Sequence, residues 1–133
     1  MAARRRIDPA DGARAVRDWA AGVDRGGAPA SPAERGARRR TMATAVRFTL
    51  EELAACAPGR AVEVRVPPFG VTQAVSGTVH RRGTPPSVVE TDGATWLALA
   101  TGRLGWGRAL ADGALHASGE RCDISSHLPL MRA

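Results

Sequence analysis

"WLALATGRLGW", residues 96–106, is the most apolar stretch of the chain, and Arg103 is its only charge. Read as a helix over 95–101, it sets Trp96, Leu99 and Ala100 on one side and Leu97, with Leu104, towards another. Asp92 is placed to cap its start and Gly102 to stop it in a left-handed turn. A helix that is apolar all round is covered on more than one side. Its second cover is either the remaining core or an incomplete one that leaves an apolar pocket. Periodicity alone favours plain core.

Working outward, "WGRALAD" reads as a short helix with Trp106, Ala109 and Leu110 on one face and Gly113 at its end. "ALHASG" reads as a strand: Leu115 and Ala117 face one way, His116 and Ser118 the other. "CDISSHLPL" closes the chain as a short helix or extended tail carrying Ile124, Leu128 and Leu130. Upstream, "RAVEVRVPPFG" is the clearest strand, because Val62, Val64 and Val66 alternate with Glu63 and Arg65. Pro67 and Pro68 end its ladder. "VTQAVSGTVHRR" follows as an antiparallel neighbour in which Val71, Val75 and Val79 share a parity, with a bend or bulge at Gly77. "RGTPP" is a loop and "SVVET" a short third strand.

Two helices are expected before the strands. "IDPADGARAVRDWAAGV" has Asp8 as cap, Pro9 at the first helical position and Asp11 in the first turn. Val16, Trp19, Ala20 and Val23 make its narrow apolar stripe, and Gly12 weakens it. "TMATAVRFTLEELAACAPG" sets Ala43, Val46, Leu50, Leu53 and Ala54 on one face, with Phe48 at the border, until Pro58 and Gly59 stop it. Between them, residues 24–40 are rich in Gly, Pro, Ala and Arg and read as a mobile linker. The order predicts an α+β arrangement, with helices on one side of a mostly antiparallel sheet.

The length of 133 residues fits one domain with an appendage, large enough for a core without disulfides. All nineteen basic residues are arginine, which reflects a GC-rich coding sequence before it reflects function. Residues 1–40 hold ten Arg against five acids, net +5; residues 41–133 hold nine Arg against eight acids, net +1. The body is nearly neutral, so the basic footprint of a nucleic-acid binder is missing. Arg38, Arg39 and Arg40 form a run that can meet an anionic surface, although a solvated charge run is the commoner case. Cys56 and Cys122 make no CxxC pair and read as buried thiols of a reducing compartment. No apolar run has the roughly 18 residues of a membrane span, and "IDPADGARAVRD" stands where a secretion signal needs apolar residues. A soluble cytoplasmic protein is expected.

Catalytic machinery is not apparent. There is no phosphate-binding glycine motif after a strand and no GxSxG elbow. Ser125 and Ser126 adjoin His127 on one segment, where a triad rarely forms. His80, His116, His127 and Cys122 match no metal-ligand spacing. Glu51 and Glu52 point about 100° apart on a helix, which suits a solvated edge rather than paired carboxylates. No metal, cofactor or catalytic residue is expected.

The segment "TDGATWLALATGRLGWGRALADGALHASG" resembles the C-terminal half of the sterol carrier protein family. Asp92, Trp96, Leu97, Thr101, Gly102, Arg103, Leu104, Ala109, Gly113, Leu115 and Gly119 fall on its pattern of an acidic helix start, an aromatic-leucine helix, a Thr-Gly-basic-Leu step, a short helix and a strand ending in Gly. "RRRIDP", "VEVRVPPFG", "RGTPP" with "VVETD", and "WLALATGRL" look like the bacterial branch of that family, common in actinobacteria. The resemblance covers most of the chain outside 24–40. It implies an α+β fold: a twisted five-stranded sheet covered by helices, with an apolar tunnel between them. Residues 41–133 would form the lipid-binding domain, and 1–40 a helix plus linker. It implies a non-catalytic carrier of a fatty acyl or sterol-like lipid. Trp96, Leu99, Leu104, Trp106 and Leu110 become candidate wall residues, and Leu128 and Leu130 match the family's lid-like end. "HLPL" departs from the longer Met- and Leu-rich helix found there. The alternative is a protein-interaction or regulatory module whose Arg-rich arm contacts an anionic surface.

Overall fold

The computed structural model describes residues 4–77, 87–119 and 122–133. Asp8 accepts the Asp11 amide at 3.2 Å and starts α1 (Pro9–Arg25), with Pro9 at its first position as expected. Ala15, Val16, Trp19 and Ala20 are its buried stripe. Gly12 is required here: a Cβ would stand 2.2 Å from the Phe48 ring, so α1 crosses the next helix at this point.

That next helix, α2 (Pro32–Cys56), begins nine residues before the expected start and takes 32–40 out of the linker. The boundary drawn between 40 and 41 therefore falls inside a helix. Ser31 accepts the Glu34 amide at 3.1 Å, and Glu34 reaches back to the Ala30 amide at 2.6 Å, a near relative of the capping box. Residues 32–40 lack an apolar stripe because the helix is buried only from Ala45 onward.

The sheet has four strands among the described residues, in the order β2-β1-β3-β4, rather than five. β1 (Val62–Val66) pairs antiparallel with β2 (Gly70–Ala74) and parallel with β3 (Ser87–Thr91), which pairs antiparallel with β4 (Leu115–Ser118). The sheet is thus mixed. The expected continuation of the second strand through Val79 and His80, and the "RGTPP" loop, lie outside the described residues. Val62, Val64, Val66, Ala74, Val89 and Leu115 form the buried face under the helices. Register sets Ala74, Thr72 and Gly70 opposite Val62, Val64 and Val66, so Val71 points to the open face and is exposed. β2 ends at Ala74. Val75 then takes a left-handed backbone, φ 68°, which a β-branched residue rarely adopts. Its amide donates to Ala57 O at 2.6 Å and its carbonyl accepts from Ala61 at 2.9 Å, which holds it there.

Over the buried face lie α2 and α3 (Gly93–Ala100), followed by α4 (Trp106–Ala111) and a single 3-10 turn (Ser125–His127). Asp92 caps α3 through the Thr95 amide at 2.8 Å, and Gly102, φ 79°, ends it. The two helices are joined in the core by one polar contact. The Trp96 indole N–H donates to Thr49 Oγ1 at 2.8 Å, and that hydroxyl lies 2.8 Å from Ala45 O. Thr49→Val keeps the shape but leaves the indole N–H buried without an acceptor, and is expected to cost about 1–3 kcal/mol in chemical denaturation. No described helix is long and apolar enough to cross a membrane.

Candidate functional site

The sequence-predicted wall residues separate into two environments. Trp96 and Leu99 are fully buried, as are Leu97 and Ala100, so both sides of α3 are covered by protein. Leu104, Trp106, Leu128 and Leu130 are half-buried and pack against the rim of the same core. Leu110, on α4, is exposed at 43%. The C-terminal tail reaches this rim because the Leu130 and Met131 amides both donate to Ala100 O, at 2.8 and 3.2 Å. Pro129 lies 3.4 Å from where a Cβ at Gly102 would be, so tail and α3 stop are in contact. The structure thus brings the tail leucines and the Leu104–Trp106 step to the edge of one apolar cluster, with Trp96 and Leu99 deep inside it.

A well-formed cleft lies elsewhere. It holds about 500 Å³ between the end of α1 and the first half of α2, beside Ala94. Trp19, Val23, Ala37 and Met42 line it, with Asp18, Arg25, Glu34 and Arg38 also in its wall. A second hollow of about 370 Å³ lies on the open face of the sheet, between Glu63, Arg65, Val71 and Glu90. None of the predicted wall residues lines either one.

Charged residues fasten the N-terminal elements to the rest, a role the sequence did not disclose. Arg103, in the turn after α3, pairs with both carboxylate oxygens of Asp24 at 2.8 and 3.1 Å. Its guanidinium also lies over the Trp19 ring, 5.7 Å from the centroid. The partners are 79 residues apart, so no local signal could reveal them. Glu51 accepts the Arg6 and Ile7 amides, and Glu52 pairs with Arg5. The two carboxylates read as a solvated edge therefore hold the N-terminal segment. Arg38 bonds Glu34 and Gly27 O, whereas Arg39, which lies over Phe69, and Arg40 are both exposed.

The Arg103 hydrogen bond holds the Asp24 carboxyl below its ordinary value. A depressed carboxyl contributes stability above its unfolded value and loses it as pH falls through the folded one. The clamp is therefore expected to open only below the ordinary aspartate range. Trp19 fluorescence during acid titration checks this: the wild-type transition should be absent in Asp24→Asn.

Among the described residues no cluster of His, Cys, Asp or Glu is fit to hold a metal. Cys56 is exposed and Cys122 half-buried, not the buried thiols expected; the partial desolvation that remains pushes the Cys56 thiol up, away from the reactive thiolate. His116 lies on the exposed side of β4, and His127 in the 3-10 turn near the tail; His80 is outside the described residues. A family model described as bacterial SCP ortholog matches residues 38–130, from the second turn of α2 to the tail, and leaves α1 outside. No curated protein matches the chain.

Proposed function

Because the chain belongs to the bacterial sterol carrier protein family, matched over residues 38–130, we propose that it is a non-catalytic carrier of a fatty acyl or sterol-like lipid. Family membership carries this reading. The apolar rim supports it: Leu104, Trp106, Leu128 and Leu130 are half-buried on the edge of the core, and Leu110 is open. Lipid would enter between α4 and the tail. A tunnel towards Leu99 and Trp96 would open by movement of the tail, which is held to α3 by backbone bonds to a single carbonyl, Ala100 O. Apolar burial supplies the affinity, at about 25 cal/mol per Å². Free cysteines at Cys56 and Cys122 favour a reducing, cytoplasmic setting.

Native mass spectrometry of the purified chain after exposure to a lipid extract tests the proposal. Adducts in the lipid range are expected. Leu104→Ala and Trp106→Ala should each weaken uptake about tenfold or more, since a buried apolar side chain contributes about 1.5–3 kcal/mol. A clean apo mass with fatty acids, acyl-CoA and sterols alike would sink it.

The second reading, an interaction module with a basic arm, draws on exposed Arg35, Arg39 and Arg40 along one helix. It predicts salt-sensitive binding to anionic vesicles without any lipid extracted from them.

A further inference from the structure

The cleft between α1 and α2 has one wall, α1, that stands wholly outside the family match. Its volume of about 500 Å³ falls within the roughly 300–1,000 Å³ of small-molecule sites. Trp19, Val23 and Met42 give it an apolar lining, and Val23 is left 51% exposed beside it. Missing side chains make the room. A Cβ at Gly22 would meet only the Arg25 guanidinium, at 3.9 Å, and one at Gly26 or Gly27 would meet nothing within 4 Å.

The charges give the cleft a direction. Both Glu34 oxygens are occupied: Oε2 by the Ala30 amide at 2.6 Å and Oε1 by Arg38 at 2.8 Å. The other Arg38 nitrogen goes to Gly27 O at 3.0 Å. Arg25 also acts electrostatically on Glu34, which places all three charges at one end. Arg25, Glu34 and Arg38 sum to one positive charge there, with Arg25 the cation not hydrogen-bonded to the carboxylate. Asp18 lies seven residues back on the same face of α1, about 10 Å along the axis. An anion is therefore favoured at the Arg25 end and disfavoured at the other.

We infer that this cleft is a second binding site, for a single-chain amphiphile with an anionic head such as a fatty acid. The chain lies on Trp19, Val23 and Met42, and the carboxylate meets Arg25. This goes beyond the carrier proposal, whose wall is at α4 and the tail, and the two stand or fall separately.

Titration of the full isotope-labelled chain with dodecanoate, followed by NMR, tests the inference. Shifts are expected at the Trp19 indole and the Gly22, Gly26 and Gly27 amides. Gly22→Leu fills the cleft from a helical position with open space, so it should weaken these shifts tenfold or more without lowering the thermal midpoint. Arg25→Ala should weaken dodecanoate several-fold and leave dodecanol unchanged. Shifts confined to α4 and the tail, or dodecanoate binding untouched by Gly22→Leu, would overturn the second site and leave the carrier proposal intact. Shifts confined to the α1–α2 cleft would support it and count against the α4 wall. An absence of shifts overturns it outright.

Discussion

Trp96→Ala is expected to destabilise the fold by about 3–5 kcal/mol, the range for removing a large buried aromatic side chain. The side chain is fully buried and joins α3 to α2 through Thr49, so truncation empties the layer between helices and sheet and breaks the bond across it. Trp96→Phe is the intermediate case. It keeps a six-membered ring but loses the N–H and part of the buried ring volume, while the Thr49 hydroxyl retains Ala45 O; a cost of about 1–3 kcal/mol, part hydrogen bond and part cavity, is expected. Urea denaturation of both variants measures the difference. A Trp96→Ala cost under about 1 kcal/mol would mean that the indole faces space rather than packed side chains. Trp106→Ala is the contrasting case: a half-buried ring at the rim, expected to lose ligand before it loses stability.

Gly59→Ala carries the second large effect, about 2–4 kcal/mol, from strain at an unsuitable backbone conformation and overpacking together. Gly59 has φ 149°, and a Cβ there would stand 2.2 Å from the Val75 carbonyl oxygen. Neither partner can yield, because the contact is with backbone that bonds to Ala57 and Ala61 on either side. Gly107→Ala is the control: it lies in α4 with nothing within 4 Å, and should be neutral or stabilising by about 0.4–1 kcal/mol. Comparing thermal midpoints of the two variants separates a local backbone requirement from a general effect of losing glycine.

How far each part was legible depended on how local its cause is. Asp8, Pro9, Asp92 and Gly102 mark helix ends through contacts within three or four residues, and each does so in the structure. The start of α2 also had a local signal, Ser31-Pro32-Ala33-Glu34, but the missing apolar stripe hid it. Val71 misled by parity, because its inward or outward direction follows from pairing with β1 and not from its own segment. Thr49 occupies a place in the buried stripe between Val46 and Leu53, and only the indole across the core explains a hydroxyl there. For the candidate site, the sequence identified the apolar helix and its tail; the α1–α2 cleft escapes it because Arg25, Gly26, Gly27, Glu34, Ala37 and Arg38, nearly half of its lining, fall in the stretch 24–40 that reads as a linker.

By itself the sequence determined that an apolar helix with a capped start and a glycine stop sits at the centre of an α+β unit. Those features follow from short-range capping, alternation and composition. Tertiary structure decided the rest. It made the sheet mixed, sent Val71 outward, filled the space around Trp96 and left room beside Trp19. Each of these depends on which distant surfaces meet: Asp24 with Arg103, Gly12 with Phe48, Thr49 with Trp96. Packing across tens of residues leaves no periodic trace in the chain that produces it.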